Sequence, residues 1–306
     1  MRTTTHTGEA RLDSGAAAGG SDHASDLRRH GERAYKYAMR GSKHVILIAY
    51  GLAAVFPLLL IISTALKTLG DVYRDPFSLF TSFTLSNFSS AWTAGDFGSY
   101  LWNSVLLAVP STAGVVVFST MAGYAFARLP YRGRTLLFYL VMVGLLIPFF
   151  SYMIPLFFEM RGVGLLDTLV GVDCVLCTTG LAVGTFFMRS FFTDLPAEIE
   201  QAARIDGCSE WQVFLRVMLP FCRSGALSLM LYMFVQNWNS FLVPLLLLPG
   251  GSYRPVTTGL YSWTGRTNDY GAVAAGTVIA ILPVVVIFLL TQRQLIRGFA
   301  AGAVKG

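Results

Sequence analysis

Charge is scarce in this chain. Asp, Glu, Lys and Arg make up 13% of it, against about 25% in an ordinary soluble domain, while hydrophobic residues reach 54%. That balance makes lipid the expected solvent for most of the chain. Histidine is nearly absent: His6, His23, His30 and His44 all fall at or before the first long apolar run. Cys174 and Cys177 form a C-x-x-C, but no histidine and no second C-x-x-C stands near it. It lies inside an apolar run and reads as small apolar lining rather than a redox or metal centre. No G-x-x-x-x-G-K-[ST], G-x-S-x-G or G-x-G-x-x-G occurs, so no catalytic residue, metal site or nucleotide site of its own is expected. The net charge of +6 comes without a basic stripe interleaved with aromatics, which excludes nucleic acid as the expected partner.

Apolar runs dominate what remains. Six reach the roughly 20 residues needed to cross about 30 Å of hydrocarbon, near 44–66, 102–127, 136–158, 168–188, 225–248 and 272–291. Backbone groups in lipid must bond within their own segment, so the fold class is an all-α membrane protein with six transmembrane helices. Pro57, Pro110, Pro148, Pro155, Pro244 and Pro283 interrupt the runs and mark expected kinks. Residues 1–43 are polar and read as a disordered tail without a cleaved signal peptide. Lys and Arg set the orientation. Placing the N-terminus and C-terminus in the cytosol puts Arg128, Arg132, Arg134, Arg189, Arg204, Arg216 and Arg223 inside. The outer loops then keep only Lys67, Arg74, Arg161, Arg254 and Arg266. Cys208 and Cys222 fall in a cytosolic loop and are expected as reduced thiols. The stretch Gly114–Gly123 is rich in small residues and points to close helix packing.

One cytosolic loop, residues 190–224, carries structure of its own. Its segment 196–220 reads as two short helices around a glycine turn. Pro196 suits a first helical turn, where a missing N–H costs nothing. Ile199, Ala202 and Ala203 lie at i, i+3 and i+4 and predict one small apolar face. Gly207 is placed to end the helix in a left-handed turn. Ser209 and Gln212 form a capping box for the second helix, whose stripe runs through Trp211, Phe214 and Met218.

Gln201-Ala202-Ala203, Gly207 and Leu219-Pro220 resemble the E-A-A-x-x-x-G…L-P signature of permease subunits of ABC importers. Ile205-Asp206-Gly207 and Trp211-Gln212-Val213-Phe214 are similar to the carbohydrate-uptake branch, the family of the maltose permease subunit. Tyr124–Arg128, Trp238–Leu242 and the ending Ala301–Gly306 extend the resemblance, which covers roughly 44–306 as one permease domain. The first signature position, usually Glu, is Gln201 here. The resemblance implies a multi-pass bacterial cytoplasmic-membrane subunit without its own ATPase site. It implies a homologous second permease, a cytosolic ATPase dimer that binds ATP and Mg, and an extracytoplasmic solute-binding protein delivering a carbohydrate. It also implies ATPase coupling through the loop that holds Glu198, Glu200, Gln201, Ala202, Ala203, Asp206 and Gly207, with Glu198, Glu200 and Asp206 available to basic residues of a partner.

Gln236, Asn237, Trp238 and Asn239 cluster in the fifth run, where polar side chains must face the bundle or a wet cavity. Two readings stand. The amides and indole form a substrate path, with hydrogen bonds to sugar hydroxyls and stacking on a pyranose face. Alternatively they bind helices to one another. Gln236 and Asn239, three residues apart, are expected on one face, with Asn237 elsewhere. Apart from Asp173, near the outer end of the fourth run, acids occur only at run ends, as Glu159 and Asp167 do. That counts against the alternative of an ion-coupled secondary carrier. A non-sugar solute such as glycerol phosphate is the alternative cargo.

Overall fold

The computed structural model describes residues 43–303, with side chains through residue 292. Expectations for the tail before residue 43 and for the side chains of the Gly298–Gly306 ending lie outside the described residues. Every regular element among the described residues is helical. The chain divides at residue 60 into two compact units. The described part of the first is the beginning of α1, Lys43–Leu66, a strongly apolar helix.

Beyond it come α2 (Leu69–Arg74), α3 (Ser86–Thr93), α4 (Phe97–Arg128), α5 (Arg134–Val143), α6 (Phe149–Gly162), α7 (Leu169–Asp194) and α8 (Ala197–Ile205). There follow α9 (Glu210–Gln212), α10 (Leu219–Phe221), α11 (Arg223–Trp238), α12 (Leu242–Leu247), α13 (Val256–Thr264) and α14 (Tyr270–Ala303). Among the described residues, α1, α4, α7 and α14 are long and apolar enough to cross a membrane, and two bent helix pairs bring the number to six if each is one span.

The second of these pairs, Glu210–Phe221 with Arg223–Trp238, bends by 74°. The first bend, and a separate break after Trp238, have identifiable causes. The run expected at 136–158 is broken: Arg134–Leu146 meets α6 at 97°. Ile147 precedes Pro148 and is extended, φ −86° and ψ 111°, because the proline ring disfavours helical backbone in the residue before it. The run expected at 225–248 ends its helix at Trp238 and resumes as α12. Pro244 has no N–H to give to the Ser240 carbonyl four residues back. The Thr257 hydroxyl donates to that carbonyl instead, at 2.7 Å. Asn239 caps the end of α11 by donating its side-chain amide to the Val235 carbonyl, 2.8 Å away. Irregular backbone survives at such depth only when its polar groups find partners of this kind. Pro110 and Pro283, by contrast, sit inside continuous α4 and α14.

The bundle centres on α4 against α7. The buried stripe of α4 is small and polar as well as apolar, with Asn103, Ser104, Ser111, Thr112, Ser119, Thr120 and Gly123 among its members. Without a hydrophobic force between helices in lipid, close backbone approach supplies the attraction. A Cβ on Gly114 would stand 2.8 Å from Cys177 Sγ, and one on Gly123 would stand 2.7 Å from Met188 Cβ. The close packing expected of Gly114–Gly123 is thus present, and the partner is α7.

Three clusters fill the interior. Phe97, Tyr100, Phe234, Trp238 and Trp263 join α4, α11, α13 and α14 at one end. Val115, Tyr124, Met188, Phe192, Phe214 and Met218 bring the loop helices onto α4 and α7 at the other. Leu107, Val172, Leu176, Val243 and Leu247 seat α12 against α7. The apolar window of α14 is only 11% buried within the chain, which leaves most of that helix for lipid or another subunit.

Candidate functional site

The loop helices are set by short-range chemistry. Pro196, extended at φ −58° and ψ 136°, is the N-cap of α8, one residue ahead of its expected place inside the first turn. Glu198 and Glu200 lie in that first turn and Arg204 in the last, the charge order that favours the helix dipole. Gly207 has φ +83°. Its N–H bonds the Arg204 carbonyl at 3.1 Å, and the Cys208 N–H bonds the Ala203 carbonyl at 3.1 Å. This crossed pair is a Schellman motif, which only a residue at ease in the left-handed region closes without strain. Two residues on, the capping box is complete. The Gln212 N–H reaches Ser209 Oγ at 3.4 Å, and the Ser209 N–H reaches Gln212 Oε1 at 2.9 Å. The second helix then widens into a π-turn over Val213–Met218, which the sequence reading missed.

The outward face of α8 differs from the expected one. Ala203 is buried, but Ala202 is exposed beside Gln201, and Ile205 is 85% exposed. Ile199 is half-buried. The predicted single apolar face is therefore divided, with Ala203 turned inward and Ala202 and Ile205 outward. Glu198, Asp206 and Gly207 are exposed as well. Phe214 and Met218 pack inward, whereas Trp211 is exposed.

Glu200 corrects the sequence reading most sharply. Its place beside Glu198 suggests an acid available to a partner, yet it is 4% exposed. Tyr124 Oη donates to Glu200 Oε1 at 3.2 Å, and Arg204 Nη2 donates to the same oxygen at 2.7 Å. Arg128 Nη1 stands 3.9 Å from Oε2. Arg128 also donates through Nε at 2.9 Å to the Phe192 carbonyl, and through Nη2 to the Leu195 carbonyl, satisfying groups that the end of α7 leaves unpaired. Arg204 continues to Glu210, with Nε 2.8 Å from Oε1 and Nη2 3.1 Å from Oε2. The hydrogen bonds from Arg204 hold the Glu210 carboxyl below its usual range, and that partner in turn raises Arg204. Tyr124 and Arg128 carried a family likeness in the sequence, but nothing local tied them to Glu200, 76 residues beyond Tyr124.

The polar cluster of the fifth run divides in two. Asn237 is buried and donates its amide to Ser111 Oγ at 3.0 Å and Thr112 Oγ1 at 3.1 Å. Trp238 is buried too, and its Nε1 donates to the Ala280 carbonyl on α14 at 3.2 Å. Both join helices. Gln236 is exposed, with Nε2 3.4 Å from Tyr232 Oη. Together with Asn237 it lines an open groove of about 570 Å³ that also includes Tyr152, Thr179, Tyr232 and Ser240, beneath the break at Ile147–Pro148. Asn239 does not share that groove. It borders a separate cleft with Thr257, Leu260 and Thr277, its side-chain amide turned back onto the Val235 carbonyl. The sequence reading missed Tyr152, Tyr232 and Thr179, which only the folded backbone brings beside Gln236.

Residues 117–299 match the family described as binding-protein-dependent transport system inner membrane component. The chain is 32% identical over 265 residues to the diacetylchitobiose uptake system permease protein NgcG of Streptomyces coelicolor, covering 86% of this chain and 88% of that protein. It is 35% identical over 258 residues to the arabinooligosaccharides transport system permease protein AraQ of Halalkalibacterium halodurans, covering 83% and 92%. A solved bacterial ABC transporter involved in the import of the acidic polysaccharide alginate shares the fold, with a TM-score of 0.73 at 22% identity, covering 82% of this chain and 94% of that one. With its multi-pass apolar helices and these relatives along most of its length, the chain belongs to the family of inner membrane components of binding-protein-dependent transport systems.

Proposed function

We propose that this chain forms half of the translocation path of an ABC importer for a carbohydrate, most closely an oligosaccharide, and is driven by a separate ATPase through α8. The observation that carries the reading is the loop. Two short helices are closed by a Schellman turn at Gly207 and a capping box at Ser209 and Gln212, and they present Glu198, Gln201, Ala202, Ile205, Asp206 and Gly207 outward. A rigid, capped knob with a small, partly apolar tip suits a groove on a soluble partner. The distribution of Lys and Arg supports a cytosolic position for this loop and both termini, where ATP is. ATP and Mg then belong to the ATPase dimer, because no phosphate-binding loop exists in this chain.

The remaining partners are those the family implies, and the open surfaces leave room for them. A homologous second permease would close the groove at Gln236 and cover part of α14, and a solute-binding protein would deliver the sugar from the other side. In the groove, Gln236, Tyr232, Tyr152, Thr179 and Ser240 supply amide, phenol and hydroxyl groups among apolar walls, a mixture suited to a polyhydroxylated ligand. The carbohydrate class is supported by the relatives, whose names specify uptake of diacetylchitobiose and transport of arabinooligosaccharides. Reconstituting the chain with its permease, ATPase and binding-protein partners, then measuring entry of labelled oligosaccharides with and without ATP, tests the reading. ATP-dependent entry supports it. Entry that persists without the ATPase and collapses with the ion gradient would establish the secondary-carrier alternative, and uptake of glycerol phosphate but no sugar would replace the cargo.

A further inference from the structure

Only two residues of α8 are buried, Glu200 and Ala203. One methyl group and a half-buried Ile199 contribute little apolar area, so hydrophobic burial alone fixes this helix only weakly to the bundle. The directional attachment is the Glu200 carboxylate. Its partners come from different elements: Tyr124 and Arg128 from α4, and Arg204 from α8 itself. Arg128 holds the carbonyl end of α7 at the same time, and Arg204 holds Glu210 at the start of α9. The two Arg and two Glu balance in charge. A buried pair of this kind adds little net stability, because desolvation offsets its attraction, but removing one partner leaves the other uncompensated. Such a cluster fixes geometry more than it stabilises.

We infer that Glu200 is the joint through which displacement of α8 reaches α4 and α7, a positioning residue rather than part of the surface that touches the ATPase. The inference rests on reading 190–224 as the coupling loop. Because Glu200 faces the bundle, its loss should leave docking intact and disconnect the docked helix from the membrane helices behind it.

The experiment uses the complete reconstituted transporter. Spin labels at exposed Ala197 on α8 and exposed Val117 on α4 report their separation, nucleotide-free and after trapping with MgATP and vanadate. With Glu200 present the two helices move together, so the distance distribution stays single and narrow in both states. In Glu200→Gln, which keeps size and hydrogen-bonding capacity but removes charge, the trapped state becomes bimodal while the ATPase still co-purifies. ATP-driven uptake falls roughly tenfold, the loss expected when one charge-assisted hydrogen bond is weakened. Tyr124→Phe removes a single donor and gives a smaller loss in the same direction.

A narrow, unchanged distribution with normal uptake in Glu200→Gln overturns the inference. So does failure of Glu200→Gln to assemble combined with wild-type behaviour of Tyr124→Phe, since that outcome marks a purely structural role. Wild-type chain and Gly207→Val serve as controls for the underlying reading. If no ATPase docks on the wild type, or if Gly207→Val leaves uptake intact, the coupling-loop reading fails independently of Glu200.

Discussion

Replacing Gly207 isolates a backbone effect. A Cβ built on Gly207 meets nothing within 4 Å, so any side chain has room, and the penalty comes from φ +83° alone. Left-handed backbone costs an L-residue about 1–2 kcal/mol, less for Asn and more for a β-branched residue. The alternative is to abandon the turn and lose the two crossed hydrogen bonds at its end, each contributing about 0.5–1.5 kcal/mol. The two routes differ little in free energy. Gly207→Val should therefore populate a frayed α8, with an energy difference near the 1.4 kcal/mol that corresponds to a tenfold change in population. The assay is ATP-driven uptake in proteoliposomes across Gly, Asn, Ala and Val at position 207, with insertion checked by yield of folded protein. Activity should fall in that order, and uptake and transport-linked ATP hydrolysis should fall together. Equal uptake for Val and Gly would refute the reasoning, because it would show that the left-handed turn is not needed where force enters the chain.

Asn237→Ala should lower thermal stability by roughly 1 kcal/mol, since it removes two interhelical bonds of about 0.6 kcal/mol each, whereas Gln236→Ala should leave the melting point unchanged and alter the KM for sugar. Detergent melting and uptake kinetics on both variants decide, and the reverse pattern would exchange their roles. Gly123→Ala should destabilise by about 1–3 kcal/mol, because the added methyl meets Met188 Cβ at 2.7 Å and the Arg189 backbone nitrogen at 2.8 Å, and backbone cannot yield as a side-chain end can; an unchanged melting point would disprove this close packing. Glu210 has a depressed pKa, so its pairing with Arg204 stabilises the fold at neutral pH and is lost as pH falls below the ordinary Glu value of about 4.3. The pair is exposed, so the wild type should exceed Glu210→Gln by no more than about 1 kcal/mol, a difference that melting curves should show shrinking as pH falls from about 5 to about 3, through the unfolded and then the lowered folded value, and in high salt.

What could be read before folding was whatever depends on neighbours along the chain. Gly207, Ser209 and Gln212 act within four residues of one another, so their turn and cap were legible from spacing. The apolar runs were legible because lipid imposes length and composition on each span separately. The bend at Ile147–Pro148 was half-legible: the proline was visible, but whether a helix absorbs it, as α4 absorbs Pro110, depends on what surrounds it. The end of α11 at Trp238 depends on Thr257 accepting the task that Pro244 cannot perform, a relation across thirteen residues with no periodic signature. Glu200 was misplaced for the same reason. Beside Glu198 it looks like another surface acid, and only the arrival of Tyr124 and Arg128 from a distant helix makes it interior.

The glycine-lined contact between α4 and α7 restricts how the subunit can change shape. Two helices packed backbone against side-chain root cannot slide past one another without collision, so they behave as a beam. Deformation would then concentrate where the rods are already interrupted, at Ile147–Pro148, at Cys222 and at Asn239–Phe241, the first and last of which flank the groove at Gln236. An opening and closing motion carried by such a frame would widen or narrow that groove while the beam beside it turned as a unit.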